Sequence, residues 1–135
     1  MNKKVIIFGV FDGLHEGHHN FIEQASKYGE EIYAIVAQDQ VVERLKNKKT
    51  KHNQKQRLSF LSSHPLVNQA FLGDGEEGEY LSVKSINPNL ICLGYDQKAL
   101  GLDLQSKIDS GYLPLIKIVF LEAYQPNKYH SSLLN

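Results

Sequence analysis

Five short apolar runs punctuate the chain: residues 5–8 (Val-Ile-Ile-Phe), 32–37, 70–72, 90–93 and 116–121. Each is too short for a buried helix. All but the last, which carries Lys117, are continuous rather than alternating, which predicts strands covered on both faces. Between them the apolar positions recur at helical spacing. Phe21, Ile22, Ala25 and Tyr28 predict a helix over about 17–28, with Gly29 just past its end. Asp39 is placed to cap a helix running to Leu45, and Asn53 to cap one running to about Ser62, with Leu58 and Leu61 on its inner face and His64-Pro65 after it. Tyr80, Leu81, Val83, Lys84 and Ile86 predict a further helix, stopped by Asn87-Pro88, and residues 98–110 another, weakened by Gly101.

Strands that alternate with helices predict right-handed βαβ units and a parallel sheet. The expectation is therefore an α/β chain forming a single Rossmann-like domain over residues 1–135. Its sheet would have five parallel strands in the order 3-2-1-4-5, with helices on both faces. In that order the first and fourth strands are neighbours and the winding reverses between them. A ligand crevice is then expected between residues 9–18 and 94–97, at the carboxyl ends of those strands.

Length and composition fit this picture. The 135 residues carry 15 Lys and Arg against 15 Asp and Glu, a formal net charge of zero. That argues against a general nucleic-acid binder, which needs a basic excess. The single cysteine, Cys92, rules out an internal disulfide and sits in an apolar run, so a buried packing role is expected. No run is long enough to span a bilayer, and the first is too short for a secretory leader. A cytoplasmic protein that neither enters a membrane nor binds nucleic acid is the expectation.

The candidate chemistry begins where the first strand ends, at Gly9-Val10-Phe11-Asp12-Gly13-Leu14-His15-Glu16-Gly17-His18. A strand-to-helix turn aims the helix's first N–H groups at the crevice and favours an anion there. His15 and His18 are three apart, so a helical turn beginning at His15 puts both rings on one side. Gly17 leaves room for a ligand beside the backbone. A zinc site from Asp12, His15, His18 and His19 is disfavoured, because there is no cysteine partner and the helix dipole opposes a cation.

With G-x-F-D-x-x-H-x-G-H in place, the chain resembles the H-x-G-H nucleotidyltransferase superfamily, within it the glycerol-3-phosphate cytidylyltransferases and archaeal-type FAD synthases. The resemblance implies attack of an acceptor oxygen on the α-phosphorus of a nucleoside triphosphate, with pyrophosphate leaving. It implies that His18 contacts the α-phosphate, that His15 contacts its neighbour, and that Gly9, Val10, Phe11, Asp12 and Gly17 line the nucleotide site. Asp12 would either orient the turn or face a Mg²⁺ (or other divalent cation) carried in on the triphosphate; no residue is assigned firmly as a metal ligand.

Three further stretches follow. Lys46, Lys48 and Lys49 concentrate positive charge just after the second strand, which makes a local anion site in a neutral protein. The resemblance implies a catalytic Lys46, with Lys48 and Arg57 on substrate phosphates; His52 falls where the cytidylyltransferases also carry a histidine. Gly94, Asp96 and Gln97 end the fourth strand and should border base and ribose. The L-G-x-x-Q form, Val36-Ala37-Gln38-Asp39 and Gln56-Arg57 are more similar to the archaeal-type FAD synthases.

In the tail, Ser131 and Ser132 fall where the family clamps β- and γ-phosphates. Gln125 replaces the family's arginine, and Lys128 is the nearby cation. A homodimer partner is one way to complete so short a tail. The implied activity is transfer of AMP or CMP to a small phosphorylated metabolite, leaning to an adenylyl donor and an FMN-like acceptor. The alternatives are a glycerol-3-phosphate cytidylyltransferase-like enzyme and a catalytically weak nucleotide-binding module.

Overall fold

The structure, a computed structural model, describes residues 2–76 and 78–124. Its elements are β1 (Lys4–Gly9), α1 (Glu16–Ser26), β2 (Glu31–Val36), α2 (Asp39–Lys46), α3 (Gln54–Ser62), β3 (Gln69–Leu72), α4 (Leu81–Ile86), β4 (Leu90–Leu93), α5 (Lys98–Asp109) and β5 (Lys117–Phe120). The five strands form one sheet in the order β3-β2-β1-β4-β5, and every pairing is parallel. This is the expected architecture, with boundaries that differ by a residue or two.

Central strands covered on both faces lose their alternation. Val5, Ile6 and Ile7 are all fully buried, as are Ile91, Cys92 and Leu93. Val5, Ile7, Ala34, Val36 and Cys92 pack on one side against Ile22 and Ala25 of α1 and Leu61 of α3. On the other side Ile6, Ile35, Ile91 and Leu93 meet Val83 of α4 and Leu104 and Ile108 of α5. The change of face between the two halves follows from right-handed crossovers that run outward from β1 in opposite directions.

Cys92 is a core residue, as expected; burial pushes its thiol up to about 12, so it stays an uncharged packing group. Gly101 is buried in α5, where an added Cβ would stand 2.5 Å from the Phe120 ring, so its helix cost is offset by close packing against β5. Two capping expectations divide. Asn53 caps α3 as expected, its side chain accepting from Gln56 N–H while Gln56 reaches back. Asp39 is not the cap of α2: Gln38 holds that position, and the Asp39 carboxylate turns to Arg57 at 2.7 Å.

Among the described residues, no helix is long and apolar enough to cross a membrane.

Candidate active site

The carboxyl end of β1 turns into α1 through a tight, strained loop. Phe11 is buried with φ +52°, a left-handed conformation that costs a non-glycine residue about 1–2 kcal/mol. The strain places its ring over Gly9, where any Cβ would lie 2.7 Å from it, and against the His18 ring. Phe11 thus packs against His18, which explains a buried apolar residue in the middle of an otherwise polar turn.

His15 is the N-cap of α1. Its Nδ1 accepts from the backbone N–H of Gly17 at 3.0 Å and of His18 at 3.4 Å, and the His15 N–H donates to His18 Nδ1 at 3.3 Å. This is a capping box built from two imidazoles. The rings are stacked, with centroids 3.8 Å apart and planes 21° from parallel. The expectation of two rings on one side is met, and the caps add a consequence. A Nδ1 that accepts carries no proton, so in the neutral ring the proton sits on Nε2. Both histidines therefore offer Nε2–H as a donor. Burial lowers the His18 pKa most and the charge of His15 lowers it further; the Gly13 carbonyl opposes these two, and the charge of His19 adds the smallest lowering. His19 is exposed, and its Nδ1 lies 3.1 Å from Nε2 of His64.

Asp12 orients the turn. One carboxylate oxygen accepts from Lys51 N–H at 2.7 Å, and the other from His52 N–H at 2.8 Å and the His52 ring at 3.0 Å. Burial raises the Asp12 pKa, but these bonds outweigh it, and the carboxyl is held below the ordinary value. With Oδ1 accepting two N–H groups and Oδ2 one, Asp12 ties the turn to residues 51 and 52, the first of its two expected roles. No group of three His, Cys, Asp or Glu suited to a metal occurs among the described residues.

Arg57 corrects an expectation. The resemblance puts it on substrate phosphates, yet it is fully buried. Its Nε donates to the His52 carbonyl, Nη1 to the carbonyls of Val10 and Ala37, and Nη2 to Asp39. The guanidinium thereby ties together the ends of β1 and β2 and the basic loop. Arg57 first, and then the Gln54 N–H, hold the Asp39 carboxyl low against the opposing effect of burial. Of the basic loop it is Lys51 and His52 that touch the motif; Lys46, Lys48 and Lys49 stand exposed.

Gln97 also turns inward. Its Oε1 accepts from Gly94 N–H at 2.8 Å and its Nε2 donates to the Phe8 carbonyl at 3.1 Å, so it stitches β4 to β1 across the crevice. Asp96 is exposed, with one oxygen 3.0 Å from where a Gly94 Cβ would be. Past β5, Gln24 exchanges two hydrogen bonds with the backbone of Glu122, and the Tyr124 hydroxyl donates to Glu16 at 2.7 Å. The chain is thereby held along α1 toward its amino end. Ser131, Ser132, Lys128 and Gln125 lie outside the described residues.

The fold is that of an α/β domain, and these donors gather at its topological switch point, between the carboxyl ends of β1 and β4. Residues 6–134 match the cytidylyltransferase-like family, and the chain belongs to that family of nucleotidyltransferases. It is 36% identical over 121 residues to the FAD synthase of Aciduliprofundum boonei, covering 90% of this chain and 79% of that one. The FAD synthase of Thermoplasma volcanium is 35% identical over 130 residues, 96% of this chain and 89% of the relative. A solved structure described as a lipopolysaccharide core biosynthesis protein from Thermoplasma volcanium superposes with a TM-score of 0.82 at 34% identity, covering 93% of this chain and all of the other. The pantoate–β-alanine ligase of Francisella tularensis shares the fold alone, with a TM-score of 0.63 at 13% identity over 93% of this chain and 61% of that one.

Proposed function

We propose that this chain is an FMN adenylyltransferase, moving AMP from ATP to FMN with release of pyrophosphate. The class of reaction is that of the family; the donor and acceptor rest on the similarity to FAD synthases across most of the chain. The observation that carries the chemistry is the pair of stacked imidazoles whose Nδ1 atoms are both capped.

The reaction builds negative charge on the bridging and non-bridging oxygens at the α-phosphorus. Donors fixed before the substrate arrives stabilise that charge without reorganising. His18 Nε2–H meets the α-phosphate and His15 Nε2–H the phosphate beside it. The triphosphate lies over the α1 amino end, against the main chain of residues 9–13 and of Gly17. Gly94 and Asp96 border base and ribose. Lys46 and Lys48 supply positive charge to the phosphates, and Ser131, Ser132 and Lys128 hold the β- and γ-phosphates. Arg57 and Gln97 position these parts without touching substrate.

The test is a matrix of ATP and CTP against FMN, glycerol 3-phosphate and other phosphate monoesters, with pyrophosphate release as readout. ATP with FMN is expected to be fastest. Nucleotide binding with no release from any pair would instead make the chain a binding module.

A further inference from the structure

His52 differs chemically from the two histidines of the motif. Its Nδ1 lies 3.0 Å from Asp12 Oδ1. That carboxylate already accepts two backbone N–H groups, so it is an acceptor and the His52 Nδ1 must donate. The neutral His52 ring is therefore protonated on Nδ1 and carries a free lone pair on Nε2, the reverse of His15 and His18. The ring packs edge-on against Phe60 of α3, with centroids 5.0 Å apart, and its side chain stays 37% exposed. Its Cε1 would lie 3.5 Å from a Cβ on Gly13, at the mouth of the histidine turn. The charged groups around it are Asp12 from that turn and Lys51 before it on the loop. Arg57 of α3 reaches only its carbonyl and is paired with Asp39.

We propose that His52, oriented by Asp12, is a catalytic residue on the acceptor side, its Nε2 taking the proton of the incoming phosphate monoester. This rests on the function proposed above. The acceptor monoanion passes its proton to Nε2. The freed oxygen forms the new bond to the α-phosphorus, and the bond from that phosphorus to the bridging oxygen breaks, its electron pair leaving on pyrophosphate. The proton stays on His52, beside Asp12, until product departs. The site thus holds two N–H donors for the triphosphate and one ring lone pair for the acceptor.

The experiment has two arms. In the first, imidazole nitrogen shifts of the wild-type protein are recorded with and without FMN, with His52 assigned from the spectrum of His52→Gln. A Nδ1-protonated His52 whose Nε2 shift moves on FMN addition is expected, against Nε2-protonated His15 and His18. In the second, kcat/KM for FMN is compared between wild type and His52→Gln from pH 5 to pH 8; the ratio cancels pH effects common to both. Phosphate monoesters lose their second proton near pH 6, so the monoanion that His52 acts on thins about tenfold per pH unit above it, and the variant's deficit should shrink by up to about tenfold between pH 7 and pH 8. A Nε2-protonated His52, or a ratio flat with pH, overturns the assignment. A wild-type protein that transfers nothing to FMN instead overturns the proposed function, and the tautomer still reads out His52 separately.

Discussion

The guanidinium of Arg57 holds the carbonyl of Val10, 47 residues earlier in the chain, at 2.9 Å. The bond runs from α3 into the middle of the nucleotide turn, inside the protein rather than from the substrate side. Replacing Arg57 by Ala empties a fully buried site, takes the donor from the Val10 and Ala37 carbonyls and leaves Asp39 without its cation. Breaking such a buried pair costs about 3–5 kcal/mol. We expect that loss in a urea denaturation midpoint, with activity falling as the turn and the basic loop come apart. A variant as stable as wild type, with only its KM raised, would return Arg57 to the substrate.

Losing the His18 ring should act on turnover. Its Nε2–H is aimed at charge that develops in the transition state, so at pH 8, where the ring is neutral, His18→Ala should lower kcat by about a hundredfold or more and weaken nucleotide binding far less. Steady-state kinetics alongside a nucleotide titration make the comparison. An equal loss in both quantities makes His18 a ground-state contact.

The same ring couples nucleotide binding to pH. Burial lowers its pKa, so it is neutral in the free protein at pH 7. A triphosphate placed against it favours the imidazolium and raises that pKa. Binding should therefore take up protons and tighten as pH falls toward 6, which calorimetry in buffers of different ionisation enthalpy measures directly. For folding the sign is opposite. The unfolded ring takes a proton near pH 6.5 and the folded ring resists it, so this group erodes stability as pH drops below that value.

Gly17→Ala separates helix propensity from site geometry. Alanine is the better helix former by roughly 1 kcal/mol. Its Cβ, however, would stand 2.9 Å from His15 Cε1 and 3.1 Å from Nδ1, so the ring must move. We expect unchanged or slightly raised thermal stability with kcat down about tenfold or more. Full activity would show that the exact position of His15 matters little.

Asp12 and Asp39 both have carboxyl groups held below the ordinary value in the folded state. Their stabilisation is present above about pH 4, the usual carboxylate range, and is lost as pH falls through their lowered values. Asp39→Asn should flatten the dependence of stability on pH in that acid range and lower stability at neutral pH. A denaturation series from pH 2.5 to 7 reads both effects.

Much of this was legible in the chain. The five apolar runs became the five strands, and β4 matches residue for residue, because strands covered on both faces must be apolar throughout. The histidine turn was legible because a strand end, a helix start and two rings three apart lie within ten residues. The inward turn of Arg57 is not legible, because a cation next to a basic loop looks the same in sequence whether it faces solvent or the core. A paired acceptor in Asp39, 18 residues away, was the one available signal. His52 stands out in the sequence only as a shared position, since nothing local ties it to Asp12, 40 residues earlier.

By itself, then, the sequence determined the order of strands and helices, the crevice where the winding reverses, and which turn carries the histidines. Those follow from periodicity and short spacing, which are properties of neighbours along the chain. The tertiary structure alone decided which nitrogen of each imidazole carries its proton, and that Arg57 and Gln97 face inward. Such choices are made by hydrogen-bond partners brought from distant segments, and a backbone carbonyl or N–H leaves no trace in the residue type that supplies it.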